Sequence, residues 1–425
     1  MVSEILDIAK KFSNLPINED WCFSNTRSVQ QWTHGYHRYP AKFLPDLVRK
    51  LINNYSNEND IVADLFAGCG TTLVEAKIHG RKSIGVDVNP VAELITKAKT
   101  TPIFPQLLED AFVDLQEEMK VYDPNVLNNH VFHDKIDYWF VLENKQKIAF
   151  LCQKIHKIPN QEVQSFFLVA LSNILKNCSK WLQSSTKPQI DPHKKVIDPF
   201  SSFVNQSKQM IKHNNIFFNK LSYDGFINLP CEISLEDARK TSIESSSIGI
   251  IISSPPYATS YEYADIHQLT GFWYDYFSDL KGFRKKFIGS FFSNHDDVYT
   301  YSHLGQEIIN QLFEKHPRTA KEIANYFNDL RKVTQEMHRI LKPSGYVCLV
   351  IGNTTLLDVK VKSAEVLTEN LISCGFEIKD IIKRSIPHKL IPTIRDIKTG
   401  KFTKLVSPTS KMVYPEEYII IAQKK

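Results

Sequence analysis

The sequence has few cysteines, and they are not grouped. Seven occur in 425 residues, none of them in a Cys-x-x-Cys pair, and several lie inside apolar segments. Disulfide frameworks and structural zinc sites both need cysteines at close, paired spacings. The scatter therefore argues against both kinds of stabilisation and favours a reducing compartment.

Long apolar runs are also missing. No segment is long enough to span a bilayer, and the first residues lack the basic and apolar regions of a signal peptide. No internal repeat or long low-complexity tract is present. We therefore predict a cytoplasmic protein. With 42% hydrophobic and 23% charged residues, the chain is typical of a soluble globular protein with one large core or two modest cores.

The excess of one charge sign is small as well. The net charge is +5 and the isoelectric point is near 8.6. These values are compatible with a polyanionic partner such as a nucleic acid, but they do not require one. Function must therefore be sought in local patterns of residues.

A run of β-branched residues leads directly into a turn rich in proline. Ile250, Ile251 and Ile252 are typical of a central strand of a parallel sheet, buried on both faces. Pro255 and Pro256 must end that strand, because proline cannot donate a ladder hydrogen bond. In open α/β sheets, ligands bind beyond the carboxyl ends of the strands. We therefore expect the following loop to be stiff and to lie at a reaction site.

The residues of this loop have the chemistry to hold an amino group. The carbonyls of Ser254 and Pro255 are acceptors with little freedom to turn away, since a proline nitrogen cannot donate. The Ser254 hydroxyl is a further acceptor, and Tyr257 offers a face on which a flat ring can stack. Taken alone, the tetrapeptide is equally typical of a rigid turn or of a short proline-rich ligand.

Ser254-Pro255-Pro256-Tyr257 resembles motif IV of the amino-methylating DNA methyltransferases, the family that makes N4-methylcytosine and N6-methyladenine. In that family a serine at the first position favours cytosine, and an aspartate favours adenine. The resemblance implies that Ser254, Pro255, Pro256 and Tyr257 are the catalytic residues. It also implies that the target base is rotated out of the DNA duplex before it is methylated.

A second pattern joins two strands through a glycine turn. Residues 61–66 are typical of a strand and residues 71–79 of a helix, and a second strand follows that ends at Asp87. Gly68 and Gly70 let the backbone approach a ligand closely, and Asp87 is placed to accept from ribose hydroxyls. The third glycine of the dinucleotide fingerprint is missing, which argues against a nicotinamide or flavin cofactor.

The glycine turn resembles motif I of the S-adenosylmethionine-dependent amino-methyltransferases. The resemblance implies S-adenosyl-L-methionine as the cofactor and S-adenosyl-L-homocysteine as the product. The residues that would surround the methionine part of the cofactor are Asp64, Phe66, Gly68, Gly70 and Thr71. Asp87 would hold the ribose. Asn89 and Pro90 are predicted to start the next helix, and Asn89 is a further candidate contact of the cofactor.

An aromatic and basic stretch precedes a predicted amphipathic helix that starts near Pro45. Apolar residues three and four apart predict the helix, and Pro45 fits its first turn. The run from His37 to Phe43 resembles motif X of the same family. This implies that Tyr39, Lys42 and Phe43 close over the methionine end of the cofactor. Aromatic residues before an amphipathic helix are also common as ordinary packing.

The alternation of strands and helices stops between residues 101 and 230. Apolar spacing predicts helices there, and the stretch from Lys176 to Lys212 carries eight basic side chains interleaved with aromatic ones. Such residues suit phosphates and unstacked bases, although a solvated helical face with ordinary lysines has the same pattern. We predict an inserted helical domain with a candidate role in target recognition. A second candidate for DNA contact is the polar loop before the last strand, which includes His388 and Lys389.

The α/β pattern resumes after the helical segment. A third strand is predicted at residues 231–237, and the family resemblance implies that its last residue, Asp237, hydrogen-bonds the adenine of the cofactor. The elements predicted further on are a helix at 321–341, a turn at 342–345, a strand at 346–351, a helix at 364–374, and strands at 376–382 and 418–422.

The order of these features predicts a Class I methyltransferase fold: motif X comes first, then motif I, then the acidic strand ends, then motif IV. This is a Rossmann-like α/β fold with a mostly parallel sheet. The catalytic domain would comprise residues 1–100 and 231–425, and the helical domain residues 101–230. The predicted activity is methyl transfer from S-adenosylmethionine to N4 of cytosine in a specific duplex DNA sequence, within a restriction-modification system whose endonuclease acts separately. N6-adenine methylation, RNA methylation and a non-enzymatic cofactor-dependent binding protein are the alternatives.

Overall fold

The computed structural model describes residues 10–24, 26–127, 132–185, 187–258, 263–290, 298–386 and 416–425, together with three short strands between residues 394 and 412. The strands are β1 (Ile61–Asp64), β2 (Lys82–Asp87), β3 (Cys231–Leu235), β4 (Ile248–Ser253), β5 (Leu341–Ile351), β6 (Thr354–Leu356), β7 (Val359–Val361), β8 (Phe376–Ser385), β9 (Ile394–Asp396), β10 (Phe402–Thr403), β11 (Ser410–Met412) and β12 (Glu416–Lys424).

The α-helices are α1 (Pro45–Tyr55), α2 (Thr71–Ile78), α3 (Pro90–Thr100), α4 (Pro105–Lys120), α5 (Asp134–Trp139), α6 (Leu142–Ile155), α7 (Gln161–Cys178), α8 (Pro199–Asp224), α9 (Tyr263–Ile266), α10 (Gln268–Trp273), α11 (Leu280–Arg284), α12 (His303–Lys315), α13 (Pro317–Ile340) and α14 (Ser363–Ser373). Within the described part of the chain, none of these helices has both the length and the apolar character needed to cross a bilayer.

One seven-stranded sheet forms the centre of the protein. Its strand order is β3-β2-β1-β4-β5-β12-β8. The first five strands in this order run parallel, and β12 is antiparallel to both of its neighbours. The prediction of a mostly parallel α/β sheet is therefore confirmed. Because parallel strands end at the same edge, the loops after β1, β2 and β4 meet there.

Strand β4 is central, and its side chains alternate between two apolar cores. Ile250 and Ile252 lie in a buried cluster with residues of α1. Ile251 points to the opposite face, where the cluster is built largely from α13 and α14. All six residues of β4 are buried. A continuous run of isoleucine is what such a strand requires, since both of its faces are covered.

Two sequence predictions for the strands are wrong in detail. The turn predicted at 342–345 is part of β5, because β4 pairs Ile248 with Leu341 but Ile250 with Tyr346. The extra residues of β5 are accommodated as an irregularity in the ladder, where Ser344 has a φ of +63°. The third strand ends at Leu235 and does not reach Asp237.

The helical segment is built onto a helix of the sheet domain. Val91 and Ile95 of α3 lie in the same buried cluster as Phe166 and Phe167 of α7. That cluster also contains residues of α4, α5, α6 and α8, so one core spans the segment and α3. The division into domains at residues 101 and 230 stays a prediction, and the apolar core crosses the first of these boundaries.

Candidate active site

The predicted Ser-Pro-Pro-Tyr loop leaves β4 at the carboxyl edge of the sheet. The Ser254 hydroxyl lies beside the end of β5 and donates to the carbonyl oxygen of Val350 at 3.0 Å. This bond uses the only proton of the hydroxyl, so its free lone pair can only accept. Pro255 and Pro256 have no N–H to offer. The hydroxyl of Ser254 and the backbone carbonyls before the prolines are therefore a set of acceptors on a stiff loop.

Tyr257, the last residue of the tetrapeptide, is bonded through its hydroxyl, and its ring lies close to Gly352. The hydroxyl donates to Glu417 Oε2 at 2.7 Å. A side chain at Gly352 would stand 2.7 Å from the ring, so the glycine is what makes room for it. Burial, and then the nearby Glu417 carboxylate, raise the pKa of Tyr257 well above its ordinary value. The phenol therefore stays protonated and its ring is fixed. Stacking of this ring on a target base stays a prediction.

Glu417 and Arg384 are components of this site that the sequence analysis missed. Arg384 Nη1 donates to Glu417 Oε1 at 2.6 Å, and the two residues are direct partners on neighbouring strands β8 and β12. Both are buried. No motif marks them, because their proximity to Tyr257 arises from the pairing of two strands more than one hundred residues further along the chain.

Asp64 ties the end of β1 to the end of β4. Its carboxylate accepts from the Ser253 hydroxyl, from Thr72 Oγ1 at 2.7 Å and from the Phe66 N–H at 3.0 Å. The residue is 2% exposed, and burial raises its pKa. Both carboxylate oxygens thus bind the protein itself. Asp64 fixes the loops around the site, and its direct contact with a cofactor stays a prediction.

The glycine turn adopts backbone conformations that other residues avoid. Gly68 has a φ of +51° and Gly70 a φ of +72°, both in the left-handed region. A side chain at Gly70 would also stand 2.7 Å from Thr96 Cγ2. Thr71 begins α2 and is buried, whereas Phe66 is half-buried against the core. Glycine is therefore required at position 70 by both strain and space.

Asp87 organises the turn from the end of β2. Its Oδ2 accepts from the Gly68 N–H at 2.8 Å, and its Oδ1 accepts from the Asn89 N–H at 2.9 Å. Burial, followed by the nearby Asp64, raises its pKa to about 6, although backbone N–H groups, those of Asn89 and Gly68 first, act in the opposite direction. Each oxygen keeps a lone pair beyond these bonds, so the predicted role toward ribose hydroxyls remains chemically open.

Asn89 connects this strand end to a helix beyond the proline loop. Its Oδ1 accepts from the Val91 N–H at 3.0 Å, which confirms the predicted cap of α3. Its Nδ2 is therefore the donor toward His267 Nδ1, 2.8 Å away. This fixes the proton of the neutral imidazole on Nε2. Burial lowers the pKa of His267 to about 4, so the ring is neutral. No motif in the sequence marks His267 as part of the site.

Of the residues of the motif X resemblance, Tyr39 reaches the glycine turn, Lys42 is hydrogen-bonded within the protein and Phe43 packs in the core. Their contacts with a cofactor stay a prediction. The Tyr39 hydroxyl oxygen lies 3.4 Å from where a Gly68 Cβ would stand, and the Tyr39 ring lies 4.9 Å from the His267 ring, centroid to centroid. Lys42 Nζ donates to the carbonyls of Val29 and His34, at 3.2 and 3.1 Å. Phe43 packs against the cluster beneath α1.

Asp237, predicted to bind adenine, is paired within the protein. Its carboxylate accepts from Arg239 Nε at 2.9 Å and from Arg239 Nη2 at 2.6 Å. Arg239 also pairs with the buried Asp329 at 3.0 Å. Nothing in the sequence marked Arg239 as this partner. A contact between Asp237 and the cofactor stays a prediction.

Two of the lysines predicted to contact DNA hold a loop of the protein together, and their contact with DNA stays a prediction. Lys176 donates to the carbonyls of Gln183 and Ser185, and Lys194 donates to the carbonyls of Lys176 and Trp181. Burial, with the charges of Arg38 and Lys194, lowers the pKa of Lys176 to about 8. Other basic residues of this stretch, such as Lys187 and Lys195, are exposed. The polar loop with His388 and Lys389 lies outside the described residues.

The site has the features that S-adenosylmethionine needs. The Tyr39 side chain lies over the backbone of Gly68, where an added Cβ would already be in contact with it. Asp87 lies beside this turn, at the end of β2, as an acceptor for hydroxyl groups. The acceptor loop at Ser254 follows β4, which is separated from β2 in the sheet only by β1. These residues therefore fit the cofactor.

Comparisons with known proteins find similarity to DNA methyltransferases. The family model described as DNA methylase matches residues 7–98. The chain is 27% identical to the Type II methyltransferase M.MvaI of Kocuria varians over 421 residues, covering 92% of this chain and 89% of that protein. It is 34% identical to M.MjaII of Methanocaldococcus jannaschii over 27% of this chain and 23% of that protein. It is 47% identical to M1.MboII of Moraxella bovis over 19% of this chain and 31% of that protein.

A solved structure of a SAM-dependent methyltransferase from Methanosarcina mazei aligns with 88% of this chain and 96% of that protein's chain, at 11% sequence identity. Its TM-score is 0.31, which is too low to bear on function. Fold and site together define a Class I, Rossmann-like methyltransferase that uses S-adenosylmethionine. Within that class, the DNA methylase model and the Type II methyltransferase relatives support the DNA methyltransferase family.

Proposed function

We propose that the protein methylates N4 of cytosine within a specific sequence of duplex DNA. The observation that carries this proposal is the bond from the Ser254 hydroxyl to the Val350 carbonyl, which leaves serine as an acceptor at the head of a stiff loop. An exocyclic amine has two hydrogens to donate. The Ser254 hydroxyl and the Pro255 carbonyl offer the two acceptors that these hydrogens need.

In the proposed reaction, the cytosine leaves the duplex and enters the pocket beside Tyr257. Ser254 and Pro255 accept the amine hydrogens, which draws the nitrogen lone pair out of conjugation with the ring and leaves it free to attack. S-adenosylmethionine, when bound, supplies an electrophilic methyl group. The methylated nitrogen then sheds one proton to water, and no covalent bond to the protein forms. Most of the acceleration would come from orientation and from acceptors that are already in place.

The relatives bear on the biological setting. Three of the proteins that this chain resembles are named Type II methyltransferases. We propose that this protein, too, modifies a restriction site, with the cognate endonuclease acting as a separate protein. We further propose that the helical segment 101–230 takes part in reading the target, since its core is joined to α3 beside the cofactor site.

The test is incubation with labelled S-adenosylmethionine and mixed-sequence duplex DNA, followed by nucleoside digestion and mass analysis. N4-methylcytosine in the digest would support the proposal. N6-methyladenine would keep the roles of Ser254 and Pro255, but it would overturn the choice of base. Label that enters RNA in competition with DNA would overturn the proposed substrate.

A further inference from the structure

A buried chain of polar contacts runs from Tyr257 to the two strands at the far end of the sheet. The Tyr257 hydroxyl donates to Glu417 Oε2 at 2.7 Å, and Arg384 Nη1 donates to Glu417 Oε1 at 2.6 Å. Arg384 Nη2 then donates to the backbone carbonyl of Cys22 at 3.1 Å. Arg384 is 3% exposed and Glu417 is 8% exposed. Each oxygen of the carboxylate therefore has one partner, and one of them is the motif IV tyrosine.

Such a pair needs an explanation beyond stability. Removing two charges from water costs free energy that their attraction only partly returns, and packed apolar residues often serve a fold as well or better. Strands β8 and β12 are otherwise apolar where they enter the core, as Ile382 and Ile419 are. The charged pair interrupts that pattern next to the loop that carries Ser254. Its position points to a role in the site.

The geometry identifies what this role is. Tyr257 follows two prolines that fix the backbone, but its ring can still turn about its own side-chain bonds. Gly352 leaves space on one side of the ring and does not hold it by itself. The bond to Glu417, together with a side-chain hydrogen bond between Tyr257 and Ser254, selects one orientation of the ring. Arg384 in turn fixes the carboxylate, because its guanidinium is anchored to the Cys22 carbonyl as well.

We propose that Glu417 and Arg384 are positioning residues for methyl transfer, which orient Tyr257 for the target base. This inference rests on the proposed function, because it assigns the tyrosine a base to face. The pair acts through Tyr257 and touches neither the base nor the cofactor. A ring that is free to turn would place the base wrongly in most encounters, and small misplacements of reacting groups are costly in rate.

The test compares Glu417→Gln, Tyr257→Phe and the double variant in single-turnover methylation of the DNA that the wild type modifies. Glutamine has one carbonyl oxygen and cannot serve both Arg384 and Tyr257 as the carboxylate does. We expect each single variant to lower the methylation rate constant by roughly tenfold to a hundredfold. S-adenosylmethionine affinity should stay within about twofold. In the Tyr257→Phe background, Glu417→Gln should cause little further loss.

Two further variants separate positioning from folding. Glu336→Gln is a matched control, since Glu336 is also a buried carboxylate that accepts from an arginine, Arg339. This pair lies away from Tyr257, where Arg339 also donates to the Thr241 carbonyl. It should leave the rate unchanged. The apolar pair Arg384→Met with Glu417→Leu should still fold cooperatively, because buried ion pairs tolerate such replacement, and still lose the rate.

The outcomes distinguish this inference from the function on which it rests. A wild-type protein that methylates no DNA would overturn the proposed function. An active wild type with a fully active Glu417→Gln variant would overturn the positioning role alone. An equal loss from Glu417→Gln in the presence and absence of the Tyr257 hydroxyl would also overturn it, because the effect would then not pass through the tyrosine.

Discussion

Ser253 donates its hydroxyl to the Asp64 carboxylate and accepts from the Leu65 N–H at 2.9 Å, so one buried serine joins the ends of β4 and β1. The loops that leave these two strands hold the candidate acceptor residues and the candidate cofactor residues. The serine therefore sets the spacing between the two halves of the site. It stands directly before Ser254, and the two hydroxyls face different strands, β1 and β5.

Replacing Ser253 by alanine should destabilise the protein. The change leaves the buried Leu65 N–H without its partner and removes one donor from Asp64, which should lower the free energy of unfolding by roughly 1–3 kcal/mol. Urea unfolding followed by circular dichroism measures this. Ser247→Ala is the control, because the Ser247 hydroxyl binds only the nearby Glu244 carbonyl at the other end of β4. Equal stability of the two variants would contradict the bridging role of Ser253.

Replacing Ser254 by alanine should lower turnover and leave cofactor affinity nearly intact. The variant loses one acceptor for the target amine, and the loss of one preorganised hydrogen-bonding group typically costs on the order of a hundredfold in rate. Steady-state kinetics with DNA and calorimetric titration with S-adenosylmethionine measure the two quantities. Ser373→Ala, at an exposed position on α14, controls for general effects of the change. A parallel loss of cofactor affinity would count against the assignment.

Cofactor affinity should weaken below pH 6. Burial raises the pKa of Asp87 to about 6, so its ionised fraction falls as the pH drops through this value. Ribose hydroxyls donate best to the ionised form, and the dissociation constant should therefore rise roughly tenfold by one pH unit below the pKa. Binding titrations between about pH 5 and pH 8 would show it. In Asp87→Asn the affinity should be lower throughout, and this step with pH should be absent. A wild-type affinity that is flat across the range would contradict a ribose contact by ionised Asp87.

Replacing the exposed Lys187 and Lys195 together by alanine should weaken DNA binding and flatten its dependence on salt. Each phosphate contact that is lost should reduce the slope of log affinity against log salt by about 0.9. Fluorescence anisotropy with labelled duplex DNA at several salt concentrations measures the slope. Lys120→Ala is the matched control, because Lys120 is exposed in the same helical segment but is paired with Glu117. Identical slopes for all three proteins would remove these lysines from the DNA interface.

The elements that could be predicted from sequence are those whose signals are local. The isoleucine run predicted β4, the apolar spacing with Pro45 predicted α1, and Asn89-Pro90 predicted the cap of α3. In each case the residues that carry the signal are neighbours in the chain. The irregularity in β5 was missed, because Lys342-Pro343-Ser344-Gly345 has the composition of a turn whether or not a neighbouring strand continues past it.

The partners inside the site could not be predicted, since long loops and strand register bring them together. Glu417 meets Tyr257 across 160 residues, and His267 meets Asn89 across 178. Arg239, which holds Asp237, is close in sequence but carries no pattern of its own. A motif identifies the residue that it contains and gives no information about the side chains that fold against it.

The strand order also determines when the sheet can be completed during synthesis. Strand β8 pairs with β12 alone within the large sheet, and β12 is made after every other strand of that sheet. Until β12 leaves the ribosome, β8 has no strand partner in the large sheet. Apart from the contact of Ile17 and Asn18 with Lys383, its backbone groups remain open to pairing with other chains. The nascent protein should therefore depend on chaperones longest at this edge. Its methyltransferase activity should appear only when β12 inserts between β5 and β8 and brings Glu417 to Tyr257.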